Sequence, residues 1–474
     1  MSEDPYYWTA TRQAEAVRRR EVSATELVTL HLDRIEQVNA EVNAVVSVDA
    51  EAALDAARKA DDIVMSGRPL GALHGLPIAH KDTLELAGWR TTHGSTLLAS
   101  NVPERTQIVV ERTRAAGAIS VGRTNVPEFG AGSHTVNAVY GATRNPYDLD
   151  RSAGGSSGGA AAALASGMIP IADGSDTGGS LRNPASFNNV VGLRPSAGRV
   201  PTWPDSMAWG QISVKGPLAR TVEDLRLLLG VMAGPDPRSP LGIHTDNPRF
   251  EYESAVRGLR IAWAPSIGGI PVDRDVVDAL TATVSELPDR LGCHVELDEP
   301  DLTGADDVFL TLRAWHMTAS LGGLVERHAD QIGDSVRWNV EIGRSLSGAD
   351  IARAEAGRTE LFHRMREFFE RYDLLVAPTS QIAPFPVELD YPRAVGGVEM
   401  DTYLDWMKSA YLISPTGSPA LSVPGGFTEA GLPVGLQVIG PYRREERLFP
   451  LAAAIEEQFN FGARRPAFCR GSLS

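Results

Sequence analysis

The spacing of apolar residues changes along this chain, and the changes mark its elements. Over residues 1–70 they recur at helical intervals. Leu27, Leu30, Leu32, Ile35 and Val38 follow Ser23-Ala24-Thr25-Glu26, a capping box in which serine and glutamate satisfy each other's free backbone donors. An Ala-rich helix is predicted over 51–65. From Leu76 the text turns to short apolar runs separated by Gly, Pro and helical stretches. Pro77-Ile78-Ala79-His80, Ile119-Ser120-Val121-Gly122 and Ile169-Pro170-Ile171-Ala172 read as buried strands. Helices are predicted over 105–116, 157–165 and 222–233, the last capped by Thr221 with Asp224 three residues on. Near the end, Leu374-Leu375-Val376-Ala377 and Gly435-Leu436-Gln437-Val438-Ile439-Gly440 read as central strands, with a closing helix over 446–459.

Such alternation predicts an α/β fold with a largely buried sheet. Residues 236–370 are more charged and less sheet-like, with helices expected over 276–291 and 351–371. No repeat or low-complexity linker divides the chain. The expectation is one unit: N-terminal helices to 70, a core over 71–235, a helical elaboration over 236–370, and a return to the sheet over 371–474.

Charge narrows the partners. The chain has 474 residues and a formal charge of −15, a field that repels nucleic acid and anionic membrane surfaces. Cys293 and Cys469 are too few for a disulfide framework or a metal site of their own. No basic segment followed by an apolar run opens the chain, and no apolar stretch has transmembrane length; a soluble, cytoplasmic protein is expected. Of 45 basic residues only Lys59, Lys81, Lys215 and Lys408 are lysines. Lysine loses its proton when desolvated and arginine does not, so Lys81, behind Pro77-Ile78-Ala79, invites attention as a base. An ordinary paired charge is the competing reading.

Two glycine-framed serines carry the candidate chemistry: Gly154-Gly155-Ser156-Ser157-Gly158-Gly159 and Asp176-Thr177-Gly178-Gly179-Ser180-Leu181-Arg182. Consecutive backbone N–H groups in the second segment can converge on one oxygen, as an oxyanion hole requires. Plain Gly-Ser turns or a phosphate cradle would look similar, although no G-x-x-x-x-G-K-[ST] is present. Gly154 to Gly158 also satisfies G-x-S-x-G, the nucleophile elbow. That reading needs a strand entering the turn, whereas Arg144 to Ser152 reads as a polar turn. It also needs a histidine, and none of His244, His294, His316, His328 and His363 stands out. Serine requires a base, which leaves Lys81. No S-x-x-K spacing exists, so the fold must bring Lys81 to a serine.

With its flanking stretches, notably Gly122 to Phe129, Gly216 to Asp224 and Gly431 to Gln437, this layout resembles the amidase signature family over most of the chain, least over 236–370. The resemblance implies a large twisted mixed β-sheet covered by helices on both faces. It implies Ser180 as nucleophile, Ser156 as a bridging serine at a cis peptide bond, and Lys81 as base. Thr177, Gly178, Gly179 and Ser180 would supply the oxyanion hole, and Phe129, Gly130, Ala131, Gly132 and Ser133 would line the acyl pocket. Ser157 would be a hydrogen-bonding neighbour. Asp176 and Arg182, which flank the nucleophile turn, are read as a structural ion pair or loop anchor, with contact to substrate as the competing reading. Some of Trp203, Trp209, Trp315, Trp338 and Trp406 would wall the channel. The activity implied is hydrolysis of a small or medium acyl or aryl amide, with esters and carbamates as related substrates, no metal or organic cofactor, and a homodimer compatible. The alternatives are the amidase component of a glutamyl-tRNA amidotransferase, which would need partner subunits, and a non-catalytic binding protein on the same fold.

Overall fold

The computed structural model describes residues 4–253 and 255–468; Cys469 lies outside them. Eleven strands form one mixed sheet: β1 (Val45–Val48), β2 (Pro77–Lys81), β3 (Ile119–Thr124), β4 (Ile171–Asp176), β5 (Val191–Arg194), β6 (Val214–Ala219), β7 (Arg260–Trp263), β8 (His294–Leu297), β9 (Leu374–Pro378), β10 (Ala420–Phe427) and β11 (Pro433–Ile439). Their order across the sheet is β1-β3-β2-β4-β6-β5-β10-β11-β9-β7-β8. β2 runs parallel to β3 and β4, β4 to β6 and β10 to β11 are antiparallel, and β7 lies parallel to β8 and β9.

Both faces of the sheet are buried, and the strand period shows it. Leu374, Val376, Leu421, Val423, Leu436 and Val438 belong to one hydrophobic cluster, while Leu375, Ala377, Ala420 and Ile439 belong to another. Alternate side chains leave opposite faces of a strand, so each face meets its own core. On the first face pack Leu225 and Leu228 of the Val222–Met232 helix and Val276, Leu280 and Leu287 of the Arg274–Leu291 helix. On the second pack Val308, Phe309 and Leu312 of the Ala305–His328 helix and Leu361, Met365 and Phe368 of the Gly348–Arg371 helix.

The local signals place these elements well. The capping box closes on Ser23 and Glu26 at the start of Ala24–Val42, and the Thr221 side chain accepts the Asp224 N–H. Two expectations need correction. Residues 236–370 are not outside the sheet: they contribute β7 and β8 at its edge, together with two unforeseen helices, Ala305–His328 and Asp334–Ser345. Four-residue strands are too short to display a period. The Ala305–His328 helix shows no single stripe because its start packs on the second core while Val325 packs on a third small cluster with Ile332, Val336 and Val340. Likewise, the stretch before Gly154 is not only a turn: Arg144–Asn145 and Asp148–Ser152 form a separate two-stranded hairpin.

One carboxylate anchors the start of the Ala10–Arg18 helix to the core. Buried Asp224 accepts the backbone N–H groups of Ala10 and Thr11 and the Thr11 hydroxyl, at 2.8–2.9 Å. Asp224→Ala would orphan these donors, and urea unfolding should register a loss of about 2–3 kcal/mol.

Candidate active site

β2 ends on Lys81, which is fully buried. Its backbone N–H donates to Asp173 Oδ1 at 2.8 Å, and Asp173 Oδ2 also meets His80 Nδ1, so the strand end is pinned on the neighbouring β4. The Lys81 amine then reaches three hydroxyls: Ser156 Oγ at 2.8 Å, Ser157 Oγ at 2.9 Å and Ser175 Oγ at 3.0 Å. Among the described residues no carboxylate lies within ion-pair distance of it. Burial, reinforced by the nearby Lys215 cation, pulls its pKa down to about 7. A neutral amine in this ring can donate to two oxygens and accept a proton from the third.

The serine loop is held from behind. The Gly155–Ser156 peptide bond is cis. The Gly155 carbonyl accepts from the Ser133 hydroxyl at 2.6 Å, and Ser133 Oγ in turn accepts from Asn183 Nδ2 at 3.0 Å. The Ser157 N–H donates to the Ser180 carbonyl at 3.2 Å, which joins the two serine segments. Ser156 and Ser180 both border a cavity of about 370 Å³.

The Ser180 turn is built around Asp176. This buried carboxylate accepts from Arg182 Nε and Nη2 at 3.0 and 2.9 Å, from Arg194 Nη1 at 3.1 Å, and from the Gly179 N–H at 2.9 Å. Burial alone would raise its pKa, but the two guanidiniums overcome that and hold it well below the usual carboxylate range. Arg182 also donates to the Ala410 carbonyl and to Gln437 Oε1 of β11, both at 2.6 Å. Asp176 and Arg182 thus form the structural ion pair read from the sequence. Gly179, at φ 111°, occupies backbone space where a Cβ would lie 2.6 Å from that of Ala410.

The expected site residues gather here, with refinements. Of the four N–H groups expected to face an oxyanion, that of Gly179 is engaged by Asp176; those of Thr177, Gly178 and Ser180 have no hydrogen-bond partner among the described residues. Phe129, Gly130 and Ala131 line the cavity at Ser180, whereas Gly132 and Ser133 line a second cavity of about 700 Å³ that also borders Ala131. None of the five singled-out tryptophans touches the Ser180 cavity. Trp406 borders the larger one, and Trp209 and Trp315 border a small neighbour of about 160 Å³. The sequence reading missed Thr83, Lys215, Arg313 and His316, which line the Ser180 cavity. The scarcity of lysine was the one signal that pointed to Lys215.

No histidine among the described residues hydrogen-bonds to Ser156 or Ser180, and the strand preceding Gly154 belongs to the separate hairpin, so the nucleophile-elbow reading fails. Among the described residues, no helix is long and apolar enough to cross a membrane.

Comparison with known proteins agrees with this geometry. The family model described as Amidase matches residues 26–449. An acylamidase of Rhodococcus erythropolis is 35% identical over 98% of this chain and 99% of its own length. A glutamyl-tRNA(Gln) amidotransferase subunit of Pseudomonas aeruginosa is 34% identical over 96% of this chain and 98% of its own length. Among solved structures, a bacterial aryl acylamidase of the amidase signature enzymes superposes with a TM-score of 0.91 at 30% identity, covering 99% of both chains. A 6-aminohexanoate cyclic dimer hydrolase gives 0.86 at 27%, covering 98% of this chain and 100% of its own. Sequence, fold and the buried lysine among serines converge, and the chain belongs to the amidase signature family of amide-hydrolysing enzymes.

Proposed function

We propose that this chain is a stand-alone, cofactor-free amidase that cleaves small or medium acyl or aryl amides through an acyl-enzyme on Ser180, and esters and carbamates by the same route. The observation that carries the reading is the Lys81 amine, sealed from water and ringed by three serine hydroxyls directly behind the Ser180 cavity. An amine whose pKa sits at about 7 is neutral often enough at physiological pH to accept a proton.

Neutral Lys81 takes the Ser156 proton while Ser156 takes that of Ser180, and Ser180 Oγ bonds to the amide carbon. The free N–H groups of Thr177, Gly178 and Ser180 hold the carbonyl oxygen as it becomes negative. The proton returns through Ser156 to the departing nitrogen, the C–N bond breaks, and the ester remains on Ser180. Water, deprotonated by the same relay, then releases the acid. The stand-alone reading draws support from the acylamidase relative and the aryl acylamidase fold neighbour, which align over nearly the whole chain. A glutaminase that feeds ammonia to a partner is distinguished by copurifying partner proteins and by preference for glutamine over anilides.

A fluorophosphonate should label Ser180, as mapped by mass spectrometry, and Ser180→Ala should remove both the label and turnover. Loss of a unit that acts jointly typically costs about 10⁴ or more in kcat, and Lys81→Ala should fall in that range. Full anilide hydrolysis by Lys81→Ala contradicts the relay.

The base works only when neutral, so kcat/KM on an uncharged amide should rise with pH through about 7 and then level off. Lys215 lowers the Lys81 pKa, and Lys215→Met removes that cation. The rising limb should therefore move to higher pH in this variant, as a pH profile of kcat/KM would show.

A further inference from the structure

Lys215, Thr83 and His316 line the Ser180 cavity and take no part in the relay, and each has a polar atom without a partner among the described residues. Lys215 stands opposite Ser175 in the antiparallel register of β4 and β6. Directly opposed side chains share one face of a sheet, so Lys215 emerges beside the hydroxyl that accepts from Lys81. It borders the cavity and makes no hydrogen bond or ion pair among the described residues, whereas Lys408 is paired with both Asp306 and Asp405. His316 of the Ala305–His328 helix and Thr83 just beyond β2 also line this cavity; Thr83 Oγ1 and His316 Nδ1 are buried without a partner among the described residues, the latter beside Gly210 of the small neighbouring cavity. A lysine ammonium that borders a cavity without a counter-charge at ion-pair distance points to a ligand group that supplies one.

The sign of that group follows from the charges. Arg313, one helical turn before His316, adds a second cation to the lining of the cavity and donates to Asn339 Oδ1 and the Tyr403 hydroxyl. Asp205 and Glu85 also border the cavity, but neither pairs with Lys215; Asp205 Oδ1 accepts the Met207 N–H of its own loop at 2.8 Å. An unpaired ammonium with a hydroxyl-bearing side chain on the same cavity matches an anionic oxygen pair.

We infer that Lys215, with Thr83, forms a carboxylate-binding subsite, and that the preferred substrates are amides carrying a carboxylate on the acyl or the amine portion seated there. The inference rests on the hydrolase reading of the same cavity and adds the substrate class to it.

Matched pairs test it: succinanilate against butyranilide for a charge on the acyl side, and 4-acetamidobenzoate against acetanilide for a charge on the amine side. In at least one pair the charged member should be favoured in kcat/KM by roughly tenfold or more, chiefly through KM, the scale of one charge-assisted hydrogen bond. Lys215→Met, or Lys215→Gln should the first not fold, should abolish the ratio, and Lys215→Arg should keep most of it. Both members of a pair use the same base, so any effect of the substitution on Lys81 cancels in the ratio. Turnover of neutral amides with no preference for the charged partner overturns this inference alone. A preference that survives in Lys215→Met and Lys215→Gln overturns the assignment to Lys215. No turnover of any member and no label on Ser180 overturns it together with the hydrolase reading.

Discussion

A lysine amine held in the interior without a carboxylate partner is the constraint on which this site depends. Water would keep Lys81 protonated, and an adjacent aspartate would do so still more firmly. The fold instead surrounds the amine with Ser156, Ser157 and Ser175, neutral groups that satisfy its hydrogen bonds in either protonation state. Asp173, a neighbouring carboxylate, is turned to the Lys81 backbone N–H and to His80. It positions the strand end without capturing the amine.

The nucleophile turn follows the opposite rule. Asp176 is buried and held by two arginines, which stay charged under conditions where a lysine would not. A buried ion cluster of this kind gains little net stability but is strongly directional, since its desolvation cost is met only when every donor is placed. Here the donors reach from the turn to the Ala410 carbonyl and to Gln437, so the cluster ties Ser180 to a short helix and a strand that arrive more than two hundred residues later. Lysine and arginine thus divide the work between them, with a tunable base at the chemistry and permanent charges in the frame.

Much of this was legible in the chain. Caps at Ser23 and Thr221 and the apolar runs that became β2, β3, β4, β9 and β11 carry their signals within a few residues. The glycine-framed serines announced the site for the same reason, because a turn that needs close approach needs glycine locally. The short strands β7 and β8 were hidden, since four residues at a sheet edge show no period. The Ala305–His328 helix was hidden too, because it packs on different cores at its two ends. That helix supplies Arg313 and His316 to the cavity, and so the substrate-facing wall was the least legible part.

By itself the sequence determined the helix starts, the buried strands and which serines and lysine were candidates, because capping, periodicity and turn chemistry act over a few residues. Only the tertiary structure decided that Lys81 meets Ser156 seventy-five positions away, that the Gly179 N–H is engaged by Asp176, and that Lys215 faces the cavity unpaired. These depend on strand order and register across the sheet, with β4 between β2 and β6. Register is set by the packing of both faces at once, and no short window of residues contains that sum.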